Sequence, residues 1–208
     1  MSLPRLCLRR FAESDLHQTW HDEGIALAQL HDLAIGERFG LCQRDGSLVG
    51  PLVRDAVEYV STALDRDAKQ VEKAGYLDDS ELGIVREAQG MVHIFKGEQP
   101  IACHRDYNPA NWLIDKADRW IGVIDFEMST WDVRVAEFSC YPQWEWMLQP
   151  KLINAFFNGY GRPLREKEQP KLFVAYVQYA ISCILWGHEH NHHGFVLEAH
   201  DALAEINR

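Results

Sequence analysis

Residues 101–127 read IACHRDYNPANWLIDKADRWIGVIDFE. Three short apolar runs, Ile101–Cys103, Trp112–Ile114 and Trp120–Ile124, are separated by polar segments, the mark of short strands joined by turns. The polar, turn-like stretch Asp115–Arg119 predicts a hairpin between the last two runs. Asp106, Asn111 and Asp125 then sit on a strand–loop–strand–strand scaffold and not on a helix face. Asp106 and Asn111 are five residues apart, at opposite ends of one loop, and the hairpin brings Asp125 back beside Asn111. A carboxylate and an amide oxygen make a hard, oxygen-only ligand pair suited to magnesium and not to zinc. Asp106, in the same loop but outside the metal, is placed to accept a proton.

Outside this segment the pattern is helical. Ser14 or Asp15 can cap a first helix to about Leu33, its apolar positions being Ile25, Leu27, Ala28, Leu30 and Leu33. Gly36, Gly40, Gly46 and Gly50 mark a loop. Pro51 suits the first turn of a second helix, which Gly75 ends. A third helix is expected over about Ser80–His93. Helical patterns resume after Asp132, break at Pro142 and return around Pro150–Tyr160. Pro170 opens an apolar helix to Trp186, and a last helix covers about Phe195–Ile206. The fold class expected is α+β, mostly helical, with a small β-hairpin carrying the loops that hold Asp106, Asn111 and Asp125.

The chain has 208 residues, 47% hydrophobic and 25% charged, ordinary for one globular unit spanning 1–208 and too apolar for general disorder. Its net charge of −10 argues against nucleic-acid binding, which needs a basic stripe, and suits a cationic small molecule better. Cys7, Cys42, Cys103, Cys140 and Cys183 form no C-x-x-C pair. With no visible secretory signal in MSLPRLCLRRF, the reading is free thiols in a reducing cytoplasm. The apolar run Leu172–Trp186 is shorter than the roughly 20 residues a membrane crossing needs, so a membrane partner is not expected.

H-x-D-x-x-x-x-N followed by D-F-E, here His104, Asp106 and Asn111, then Asp125, Phe126 and Glu127, resembles the catalytic and metal-binding loops of the aminoglycoside phosphotransferase and choline kinase family, relatives of the protein kinases. The resemblance implies a kinase-like C-terminal lobe that moves the γ-phosphate of ATP or GTP to a hydroxyl of a small molecule. It implies Asp106 as catalytic base and Asn111 and Asp125 as Mg2+ ligands. His104 would brace the loop, and Glu127 would hold a metal-bound water or the substrate. His21–Leu33 is similar to the helix that follows the family's inter-lobe hinge.

Departures from that pattern shape the expectation. Only about 15 residues precede the hinge-like helix, and no G-x-G-x-x-G loop precedes the catalytic loop, so the resemblance covers the C-terminal lobe alone. Asp132 fits the family pattern, but Glu137 stands where a second aspartate is expected to brace the catalytic loop, by way of Arg105. The chain alone is therefore expected to be inactive, and to expose an apolar face that self-associates or meets a partner through the first helix or Phe11. The alternative is a non-catalytic remnant or interaction module that keeps the fold.

Two other signals compete. His188-Glu189-His190-Asn191-His192 matches the H-E-x-x-H zinc motif, a remote route to a zinc hydrolase, against a polar helix end. Tyr141, Trp144 and Trp146 with Glu145 offer either a cage for a protonated amine, which would make Trp144 and Glu145 substrate-binding, or ordinary packing between helices.

Overall fold

In a computed structural model the described residues are 13–45, 47–115, 119–139 and 150–206. The first helix, α1, spans Glu13–His31. Its buried stripe is Trp20, Glu23, Leu27 and His31, whereas Ile25 and Leu33 are exposed. The apolar face inferred from sequence is thus turned, because two polar residues take core positions. α1 packs on α4 (Pro150–Gly159) through glycines. A methyl on Gly159 would lie 1.8 Å from the His21 carbonyl oxygen, and one on Gly24 would lie 2.0 Å from that of Phe156.

The segment with four glycines is not a plain loop. It forms β1 (Phe39–Cys42) and β2 (Leu48–Val53), in a four-stranded antiparallel sheet of order β2-β1-β6-β3, where β3 is Ile101–Cys103 and β6 is Thr130–Asp132. Pro51 lies in β2 and does not open a helix. As β2 has one strand neighbour, the missing proline N–H is tolerated at this edge, where the register slips between Phe39 and Leu41. The second helix, α2 (Ala56–Ala74), starts instead at Asp55, whose carboxylate accepts the Glu58 N–H at 2.9 Å. It ends as expected at Gly75, whose φ of 68° is open to glycine.

α3 (Asp79–Met91) opens on a capping box between Asp78 and Glu81. α5 (Gln169–Glu189) carries Pro170 in its first turn and buries Val174, Val177, Ile181 and Ile184. α6 (His193–Ile206) follows. Most of the buried apolar side chains among the described residues form one continuous cluster. Trp20 joins the central hairpin to it, its ring 4.6 Å from that of Trp112. Among the described residues Cys42, Cys103 and Cys183 are free thiols, and no helix is long and apolar enough to cross a membrane.

The zinc-motif reading is corrected here. α5 ends at Glu189, and Asn191 turns the chain with φ 55°. His188 stacks on Tyr76 at 3.6 Å while His192 packs against Trp186 and Phe195, so the two histidines do not share a helical face. The single group of three metal-capable side chains among the described residues is elsewhere, at His31, Cys103 and Glu137.

Candidate active site

The catalytic-loop candidate leaves the sheet at Cys103. β4 (Trp112–Ile114) and β5 (Trp120–Val123) form the expected hairpin, pairing Trp112 with Val123. The Ile124 N–H donates to the Asn111 carbonyl at 3.0 Å, which sets Asp125 beside Asn111. His104, fully buried, stitches the two segments together. Its Nε2–H donates to the Ile124 carbonyl at 2.9 Å, and its Nδ1 accepts the Asp106 N–H at 3.2 Å. Phe126 covers the imidazole at 4.5 Å.

Both Asp106 oxygens are held. Asn108 Nδ2 donates to Oδ1 and Asn111 Nδ2 to Oδ2, each at 2.7 Å. Burial raises the Asp106 pKa, and these two amides oppose that rise; nearby Asp125 adds to it. Asn111 also donates to the Asp106 carbonyl at 2.9 Å. With its NH2 end so used, its Oδ1 is the end left for a cation. Asp125 is exposed, and neither it nor exposed Glu127 has a hydrogen bond or ion pair among the described residues. Asp125 adopts φ 69°, a left-handed backbone tolerated better by aspartate than by most residues. The donor set, amide oxygen plus carboxylate, fits magnesium.

A second layer fixes the loop's backbone. Glu137 Oε2 accepts the His104 N–H at 2.6 Å and Oε1 the Arg105 N–H at 2.9 Å. Arg105 sits at φ 69°, a strained state of order 1–3 kcal/mol that persists only where surroundings enforce it. Glu137 thus braces the loop through backbone amides, not through the Arg105 side chain. That guanidinium instead faces buried Asp132 at 3.4 Å, and donates to the Ala136 carbonyl and to Ser139 Oγ. Burial raises the Asp132 carboxyl, with Arg105 opposing. Burial would also raise Glu137, but His31, Arg105 and the loop amides outweigh it and hold it below the ordinary value. Behind it, Arg134 donates to the Tyr160 oxygen at 2.6 Å, and Tyr160 bonds His31 Nδ1 at 2.7 Å. That chain leaves His31 Nε2–H facing Glu137 at 3.5 Å.

A third anchor is Tyr107, whose hydroxyl donates to Glu23 Oε2 at 2.7 Å. Burial pushes the Glu23 pKa up to about 9 despite that bond, so the carboxyl is neutral at pH 7. Glu23, His31, Tyr107 and Asn108 were not singled out from the sequence. The available signal for the first two was their spacing with Leu27 on one side of α1. Trp144 and Glu145, with Tyr141 and Trp146, lie outside the described residues.

Residues 8–173 match the family described as the phosphotransferase enzyme family. The chain belongs to that family. Its fold is that of solved aminoglycoside phosphotransferases. A thermostable mutant of aminoglycoside phosphotransferase APH(4)-Ia, in ternary complex with AMP-PNP and hygromycin B, aligns with TM-score 0.70 at 14% identity, over 94% of this chain and 66% of that one. The gentamicin complex of APH(2")-IIa aligns with TM-score 0.57 at 17% identity, over 93% and 64%. Macrolide 2'-phosphotransferase type I aligns with TM-score 0.55 at 15% identity, over 91% and 58%. The chain therefore spans about two thirds or less of the length of these phosphotransferases. Comparison with curated protein sequences finds no match.

Proposed function

We propose that this chain is the catalytic half of a magnesium-dependent phosphotransferase that moves the γ-phosphate of ATP or GTP to a hydroxyl of a small molecule. The observation that carries the reading is the meeting of Asp106, Asn111 and Asp125 where the loop after β3 crosses the end of the β4–β5 hairpin. Asn111 Oδ1 and the Asp125 carboxylate would hold magnesium, which when bound neutralises charge on the nucleotide phosphates. Asp106 accepts the acceptor's hydroxyl proton as the new oxygen–phosphorus bond forms and the bond to the nucleoside diphosphate breaks. Asn108 and Asn111 hold the Asp106 carboxylate in place for that transfer. Glu137 and His104 hold the backbone beneath it.

In-line positioning can supply roughly 7–11 kcal/mol of the barrier. None of the six strands among the described residues carries a lysine that would grip a nucleotide phosphate. The proposal therefore expects turnover to need a nucleotide lobe beside this one. Exposed Ile121, Phe126 and Met128 supply apolar surface near the site for such a contact.

The test has two arms. Manganese binding in the presence of ATP, followed by electron paramagnetic resonance, is expected to weaken at least tenfold in Asn111→Ala and Asp125→Ala; unchanged affinity in both refutes the metal assignment. Radiolabelled ATP and GTP with aminoglycosides, choline and sugars are expected to give no transfer by this chain above an Asp106→Asn control. Transfer that vanishes in the control would instead show that the chain needs no second lobe.

A further inference from the structure

A polar recess of about 410 Å³ lies between the end of α1 and the turn that follows α4. Asp32 lines it from α1's end, Arg134 from the turn after β6, and Tyr160, Arg162 and Arg165 from the chain after α4. Three arginines thus converge from two distant parts of the chain. None of Asp106, Asn111 and Asp125 lines the recess, so it stands apart from the candidate active site.

The charges of its walls do not balance. Arg162 is held by Glu168, with nitrogen–oxygen distances of 2.7 and 3.0 Å, and its guanidinium carbon lies 5.8 Å from the centroid of the Tyr160 ring. Arg134 donates to the Tyr160 oxygen at 2.6 Å, which fixes one end of its guanidinium, while the other end meets exposed Asp32 only at 3.5 Å. Arg165 is exposed, and its guanidinium donates no hydrogen bond and makes no ion pair among the described residues. Glu168 therefore answers one of the three positive charges, Asp32 answers a second at long range, and the third has no counterpart.

That surplus selects an anion. The chain's net charge of −10 repels anions from a distance, so an anion held here is held by the local arrangement of side chains. A planar carboxylate is met by a single guanidinium fork, whereas a tetrahedral oxyanion can accept from several arginines at once. The recess has the size of a small-molecule site, which leaves room for a small polar group esterified to such an anion.

We infer that this recess binds a phosphate group, free or as a small monoester. Arg134 and Arg165 are its principal donors, because Arg162 is engaged by Glu168. The inference does not depend on the phosphotransferase reading.

The experiment is a phosphorus NMR titration of this chain at constant ionic strength with EDTA present, using inorganic phosphate and glycerol 3-phosphate as probes and acetate as competitor. Binding is expected with Kd of about 1 mM, equivalent to roughly 4 kcal/mol. Arg134→Gln and Arg165→Gln are each expected to weaken it at least about threefold, the effect of one unit charge at close range in water. Arg165→Gln alters only an exposed side chain, so it keeps the test valid where Arg134→Gln disturbs folding. Asp32→Asn removes the opposing carboxylate and is expected to tighten binding about two- to fourfold. Arg86→Gln makes the same change in net charge outside the recess, and Asp125→Ala removes the metal ligand; both are expected to bind as the parent does. A tighter ester assigns the site to esters and a tighter inorganic phosphate to the free ion, and either supports it. No binding at about 10 mM, an equal loss in Arg86→Gln and Arg165→Gln, displacement by acetate at equal concentration, or loss in Asp125→Ala overturns the assignment.

Discussion

Replacing Glu137 by glutamine tests what holds the catalytic loop in its strained path. Glu137 is 2% exposed, and its two oxygens accept the His104 and Arg105 N–H groups at 2.6 and 2.9 Å. Glutamine keeps the shape but turns an NH2 donor toward one of those two donors. One charge-assisted bond, worth about 1.5–3 kcal/mol, becomes a weaker neutral one, and the other N–H is left unmet at about 1–3 kcal/mol. Removing a buried charge offsets part of this loss. The net expected cost is about 2–4 kcal/mol. At about 2–4 °C per kcal/mol for a chain of this size, Tm should fall by roughly 4–16 °C. Urea unfolding at pH 7 measures the loss, and amide hydrogen exchange at His104 and Arg105 locates it. The sign with pH follows from the depressed carboxyl. Its contribution is complete above the ordinary value of 4.5 and is lost as pH falls below that through the folded value. The parent and Glu137→Gln should therefore converge on acidification. A variant within about 0.5 kcal/mol of the parent at pH 7, with both amides still protected, would refute the bracing argument.

Glu23→Gln should leave stability unchanged near pH 4.5 and raise it progressively toward pH 9. The Glu23 pKa of about 9 means the parent must keep a proton that its unfolded chain releases, a penalty growing by up to about 1.4 kcal/mol per pH unit; parallel melting curves across that range would disprove it. Gly159→Ala should cost about 1–3 kcal/mol by forcing α1 and α4 apart, whereas Gly83→Ala in α3, where nothing lies within 4 Å, should gain up to about 1 kcal/mol; equal effects in thermal melts would deny the close approach. Asn108→Ala, tested in the enzyme complete with its nucleotide lobe, should lower kcat with little change in KM and move the acidic limb of the rate profile to higher pH, since the Asn108 amide opposes the burial that raises the Asp106 carboxyl. An unmoved limb would show that Asn108 does not position that carboxylate.

The sequence by itself determined the helical frame, the central hairpin and the segment in which Asp106, Asn111 and Asp125 lie, because each rests on local signals. A terminating glycine, a first-turn proline and three short apolar runs act on their own neighbours within a few residues. Its errors came where a distant partner overruled the local preference. Gly40 and Pro51 read as loop and helix start, yet β6, far along the chain, pairs Gly40 with Trp131 and Leu41 with Thr130 and so builds the β1–β2 pair into a sheet, and Pro51 is then at home on the outer strand. Glu23 and His31 were not singled out in the first helix, yet they occupy its buried stripe, because Tyr107 and Glu137 arrive from other elements to meet them. The H-E-x-x-H run satisfied a sequence pattern, but its ligands need a continuous helix and the chain turns at Asn191. Which polar side chains are buried, and which residues brace a loop, depends on groups far apart in the chain meeting in three dimensions. Burial makes each unmet hydrogen bond costly, and that cost is settled only by the tertiary structure.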